Sequence, residues 1–188
     1  GRMASLYERR NDAAGVASCL EKIATLVDGP ERLARLFELS DYYFDTVNDD
    51  VRGLELLRTC HEMSPRDDGI LARLEGRLRL MHADTPELAS VVEKRAALQT
   101  SPALKAALLL EHGLLLTRAG DLQGAVRSLL ECLRVERDGN STARCTDALQ
   151  KIATRDDQAG RDALDAIIEH HRAQQAWQPL VESLEIAA

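Results

Sequence analysis

The chain has 188 residues, 45% of them hydrophobic and 29% charged, which is enough for a packed core and excludes a disordered chain. Aromatics are only 3%, and strand formers are sparse beside Leu, Ala and Arg, which excludes a sheet-rich fold. The net charge of -7, with no dense run of Lys and Arg, argues against nucleic acid or an acidic lipid surface as the partner.

About eleven helices are predicted, joined by turns of roughly two to five residues. The first covers Met3 to Arg10 and the second Ala14 to Val27, with Asn11-Asp12 between them. Gly29 is expected to close the second helix and Pro30 to open the third, which runs from Glu31 to Thr46. Asp49 or Asp50 caps the fourth, which reaches Met63 before Pro65 ends it. The fifth spans Asp68 to His82. Thr85-Pro86-Glu87 opens the sixth and Ser101-Pro102 the seventh; each places a hydroxyl acceptor ahead of a proline that has no amide to lose. A tight turn at Ala119-Gly120-Asp121 follows, with Asp121 capping the eighth. Gly139 breaks the chain, Ser141 starts the ninth, the tenth runs from Gln158 to Ala173, and the last from Trp177 to Ile186. No apolar run approaches the roughly 18–20 residues that span a bilayer, and Gly1-Arg2-Met3 leads into helix-like sequence without a signal-peptide pattern. Loops this short make successive helices antiparallel neighbours.

The chain also repeats itself. Sliding it by 72 residues places Leu20-Glu21-Lys22 on Val92-Glu93-Lys94, Pro30 on Pro102, Ala34 on Ala106, Leu36 on Leu108, Leu57 on Leu129 and Cys60 on Cys132. The repeating unit is thus two hairpins, at about 1–67 and 68–139, followed by irregular helices over 140–188. A shorter period of 34 to 38 residues lies inside it. From Ala106, Leu109 falls at position 4, Gly113 at 8, Leu116 at 11, Ala125 at 20, Leu129 at 24 and Cys132 at 27. From Ala34, Phe37 falls at 4, Phe44 at 11, Gly53 at 20, Leu57 at 24, Cys60 at 27 and Pro65 at 32. Small residues let paired helices approach, and large ones fill the space beside them.

This pattern resembles the tetratricopeptide repeat (TPR), a 34-residue helical hairpin. Position 7, bulky in that family, departs from it: it is His112 in one repeat and Ser40 in the other. A third start at Gly69 puts Gly76 at 8 but Arg79 at 11. HEAT-like and other hairpin solenoids are the nearest rivals. The resemblance implies an all-α, right-handed superhelix of antiparallel hairpins, a TPR-like α-solenoid forming one domain over 1–188 and cut from a longer repeat protein.

The resemblance also implies a concave groove lined by positions 2, 5, 9 and 12 of each first helix. Those are Ala107, Leu110, Leu114 and Thr117 in one repeat and Arg35, Glu38, Tyr42 and Asp45 in the other, with Arg73 and Arg77 from the third start. A leucine floor flanked by these polar groups would take a partner peptide or amphipathic helix. Leu110 and Leu114 have a second reading, as core covered by a neighbouring hairpin, because the helix over Pro102–Ala119 is apolar on all sides. The family's carboxylate-binding clamp is not carried over, since Glu38 and Asp45 stand among the basic positions and its Asn is missing.

Chemistry-bearing motifs are scarce. No phosphate-cradling glycine loop or nucleophile elbow occurs. Glu169-His170-His171 is contiguous and so points in different directions, and Cys60 beside His61 fails the same test for a metal. The cysteines at 19, 60, 132 and 145 form no CxxC pair and read as reduced core thiols of a cytoplasmic protein. Glu21-Lys22 and Glu93-Lys94 read as solvated helix faces. The expected role is a non-enzymatic protein–protein interaction scaffold without cofactor or metal; the alternative is a ligand- or peptide-responsive regulatory sensor. Trp177, Leu180, Val181 and Leu184 form an apolar stripe through which the C-terminal helix docks internally, meets a further repeat, or self-associates. Richness in Ala, Leu and Arg with little Lys points to a GC-rich bacterial source.

Overall fold

The computed structural model describes residues 12–81, 85–136, 139–176, 179 and 181. The predicted first helix and most of the last, including Trp177, Leu180 and Leu184, lie outside the described residues, and with them the proposed self-association stripe. Among the described residues there are nine α-helices and no strand. They correspond to the second through tenth predicted helices. The chain divides after Met81 into two compact units.

The first unit holds α1 (Ala13–Ala24), α2 (Gly29–Tyr42), α3 (Asp50–Met63) and α4 (Asp68–Leu80). Asp12, Asp49 and Asp67 cap α1, α3 and α4 by accepting first-turn amides, at 2.8 Å from Gly15, 3.0 Å from Arg52 and 2.9 Å from Gly69. Asp49 is therefore the cap of α3, and Asp50 is its first residue. Gly29 does not close α1, which ends at Ala24 with Thr25 as its cap. It is instead the first residue of α2, where its φ of +59° suits a residue without Cβ. Beyond Tyr42 the helix relaxes into a π turn, Tyr43–Val47, closed by Asn48 in the left-handed region. Ala17, Leu36, Leu39, Tyr43, Leu56, Cys60 and Ile70 share one core. Each large apolar side chain buried there contributes about 1.5–3 kcal/mol.

The second unit holds α5 (Pro86–Leu98), α6 (Pro102–Ala119), α7 (Leu122–Val135), α8 (Asn140–Ala153) and α9 (Gln158–Ala173). Thr85, Ser101, Asp121 and Asp157 cap four of them as the N-cap rule requires. Ser141 does not start α8. Gly139 is the N-cap, and the Thr142 hydroxyl accepts its amide at 3.3 Å while donating to Glu136 O at 2.9 Å. Helix α6 is covered by α5, α7 and α8, which buries Ala106, Leu108, Leu109, Leu110, His112, Gly113 and Leu115.

Hairpins α2–α3 and α6–α7 each pack a glycine tightly against a large side chain, at different positions of the repeat. In one, a Cβ on Gly53 would fall 2.6 Å from the Phe44 ring; in the other, a Cβ on Gly113 would fall 2.7 Å from Leu129. Leu57 and Leu129 are fully buried, and the Cys60 and Cys132 thiols donate back to Leu33 O at 3.9 Å and Ala106 O at 3.2 Å. Both hairpins turn on a left-handed residue followed by a capping aspartate, Asn48-Asp49 and Gly120-Asp121. This seam of small and large residues is TPR-like. Gly76 departs from it: it is exposed, and a Cβ there would meet nothing within 4 Å.

Candidate functional site

The predicted groove residues fall into two groups, one in each unit. In the first unit, α4 lies beside α2 and its π extension, and ion pairs join them. Arg73 Nε donates to Asp41 at 2.8 Å and Arg77 donates to Asp45 at 2.9 Å. The Arg77 guanidinium also lies over the Phe44 ring, 4.0 Å from its centre. Arg35 and Glu38 are exposed and pair with each other at 3.4 Å, and Tyr42 is half-buried. These six residues form one polar face on α2 and α4. Asp41, which the repeat positions did not select, belongs to it; its signal was the four-residue spacing Asp41/Asp45, matched by Arg73/Arg77.

In the second unit, Ala107 is exposed, while Leu114 and Thr117 are half-buried. The Thr117 hydroxyl donates to Gly113 O at 2.8 Å. Leu110 is 2% exposed, so it is core and no leucine floor opens there. The covering helices are neighbours in the same unit, which is the second of the two readings of this residue.

A hollow between α5, α6 and α7 was not among the predicted sites. Its cavity volume is about 490 Å³, and it is lined by Glu93, Leu109, His112, Leu116, Asp121, Gly124, Arg127, Ser128 and Glu131. An adjoining hollow shares Glu93, His112, Leu116 and Asp121 and continues along Ala89, Leu115 and Ala119. His112 is 8% exposed. The Ser128 hydroxyl donates to Leu109 O at 2.8 Å, so it accepts from His112 Nδ1–H, 3.1 Å away. A neutral ring then carries its free acceptor on Nε2. Burial lowers the imidazole pKa below its ordinary 6.5, while Glu93 and Asp121 pull it back upward.

Glu21 is likewise more than a solvated charge. It accepts from the Tyr43 hydroxyl at 3.0 Å and from Arg52 Nε at 2.8 Å, tying α1 to the π turn and α3. Burial, and then the Glu21 contact, raise the Tyr43 pKa. All four cysteines are free thiols; three are buried and Cys19 is partly exposed. Among the described residues, no group of three or more His, Cys, Asp and Glu could hold a metal. No described helix is long and apolar enough to cross a membrane.

The hairpin seam defines the class: this is a TPR-like helical-repeat fold. No protein-family model and no curated protein matches the chain. Among solved structures it is similar to MamA, with 13% identity over 98% of this chain and 92% of that one, at a TM-score of 0.44. It is similar to the TPR-like repeats of a putative kinesin light chain from Podosopora anserina, with 18% identity over 98% and 90% of the two chains and a TM-score of 0.42. A thermophilic TPR protein of Thermus thermophilus aligns with 17% identity over 99% and 96%, at a TM-score of 0.38. All three TM-scores are below 0.5, so the assignment of the fold rests on the packing inside the hairpins.

Proposed function

We propose that this chain is a non-enzymatic protein–protein interaction module whose polar face on α2 and α4 docks a partner peptide or helix. The observation that carries this reading is the pre-organised row of charge there. Arg73 and Arg77 are held by Asp41 and Asp45, and Arg35 and Glu38 stand free to exchange their mutual pair for a partner's groups. Charges already fixed by neighbours lose little freedom on binding and steer an oppositely patterned segment. The two-hairpin stretch of 72 residues is the repeating unit in this reading. The buried free thiols support a reducing, cytoplasmic setting.

The test is recovery of partners from source lysate on immobilised wild type and on Arg35→Glu/Glu38→Arg, a variant confined to exposed side chains. A protein retained by the wild type and lost by the folded variant supports the reading. Identical partner sets on both sink it. A ligand-responsive regulatory module is the second reading, and the polar hollow at His112 favours it.

A further inference from the structure

We propose that the hollow around His112, between α5, α6 and α7, binds a guanidinium group. The inference is independent of the docking face on α2 and α4. It starts from a departure in the repeat. Where the hairpin pattern asks for a large apolar residue at position 7, this hairpin has His112, and Ser128 stands opposite it. The leucine that would fill the seam is missing, and a polar hollow takes its place.

The lining specifies the occupant. His112 is nine-tenths buried, its Nδ1 is committed to Ser128, and among the described residues its Nε2 has no partner. Burial keeps the ring neutral, so Nε2 presents a lone pair to the hollow. Three carboxylates line the same hollow, Glu93 from α5, Asp121 from the turn and Glu131 from α7, and among its lining residues Arg127 is the one cation. Asp121 spends one oxygen on the Gly124 amide and Glu131 lies 3.7 Å from Lys105, while Glu93 makes no hydrogen bond or ion pair among the described residues. The local field thus favours a positive charge that the imidazole, through burial, does not carry itself.

The groups that converge are acceptors, so the ligand must bring donors and charge together. An anion would face three carboxylates with only Arg127 to hold it. An ammonium is a compact, strongly hydrated charge that resists partial burial. A guanidinium is planar, weakly hydrated and carries five N–H donors in a fork, which suits a carboxylate and an imidazole nitrogen at once. Ala89, Leu115, Leu116 and Ala119 give the adjoining hollow an apolar wall for the methylene stem of an arginine.

The experiment follows the His112 ring signals of the full chain by aromatic carbon–proton NMR during titration with methylguanidinium chloride. Methylammonium chloride and sodium chloride at matched ionic strength are the controls, and His112→Leu provides the assignment. The expected result is a saturable shift with a dissociation constant on the order of 1–10 mM for so small a probe. Glu93→Gln, an exposed substitution, should weaken binding by about threefold, the factor expected of one partly exposed charge pair. His112→Leu, which restores the residue the repeat expects, should remain folded and show no shift of neighbouring Leu116 methyl signals. A tripeptide with a central arginine that binds about tenfold tighter than methylguanidinium would assign the site to a partner's side chain; equal affinity would assign it to a free guanidino compound. The proposal is overturned if no saturable shift occurs, if sodium or methylammonium reproduces it, or if Glu93→Gln binds like wild type.

Discussion

Gly113 and Gly76 both sit inside helices, yet alanine should act oppositely at the two positions. Helix propensity alone favours alanine by about 1 kcal/mol at either site. At Gly76 nothing opposes that gain, because a Cβ would meet open space. At Gly113 the new Cβ would lie 2.7 Å from Leu129 Cγ, with Ala125 O only 3.4 Å away. Carbon–carbon contact is comfortable near 3.5–4.0 Å, so the overlap is about 1 Å. Leu129 is fully buried and cannot swing aside, so α6 and α7 must part. Overpacking of this kind costs about 1–3 kcal/mol, leaving Gly113→Ala less stable than wild type by up to about 2 kcal/mol after the helix gain. Urea denaturation followed by circular dichroism should order the midpoints Gly76→Ala, wild type, Gly113→Ala, from highest to lowest. In a double-mutant cycle, Leu129→Val should cost less in the Gly113→Ala background than in wild type, a coupling of about 1 kcal/mol. A Gly113→Ala midpoint at or above wild type would refute the close approach of α6 and α7.

Three further outcomes are expected. Asp49→Ala should lower stability by about 1 kcal/mol through loss of the cap, whereas Asp50→Ala should cost only a few tenths, as checked by urea midpoints. His112 titrates below its unfolded value of 6.5, so its contribution to stability is fully present above that value and is lost as pH falls from 6.5 through the folded pKa. The stability of wild type should therefore drop more steeply over that window than that of His112→Leu, as followed by acid denaturation. Iodoacetamide followed by peptide mass spectrometry should label Cys19 first. Cys60, buried and with its thiol pushed up to about 11, and the buried Cys132 and Cys145 should react only on unfolding.

Local chemistry was the most legible part of the sequence. Thr85, Ser101 and Asp121 act as caps because each needs only the amide three residues ahead. The contacts of Gly53 with Phe44 and Gly113 with Leu129 were legible one level up, through repeat spacing. What failed depends on distant cover. Leu110 has the same sequence context as a groove leucine and is buried by helices that its own segment does not specify. Gly76 occupies a close-packing position, yet among the described residues a Cβ there would meet nothing within 4 Å. Glu21 meets groups 22 and 31 residues away, separations at which charge periodicity says nothing. The π turn at Tyr43–Val47 has no residue signature comparable to a proline or a cap. The His112 hollow did leave a sign, in a polar residue where the repeat expects bulk, but only packing makes that departure a cavity.

The turns Asn48-Asp49 and Gly120-Asp121 have a consequence for how such a chain can change over generations. Each reverses direction in two residues and begins the next helix with its own cap. An α-helix advances about 100° per residue, so one residue inserted between the left-handed position and the aspartate would rotate the following helix by that amount. Gly53 or Ala125 would leave the seam, and a larger side chain would enter it. Substitutions along the outer faces leave the phase untouched. These hairpins are therefore forgiving of drift in residue type and intolerant of drift in length at the turn, which ties an insertion there to the loss of a whole hairpin.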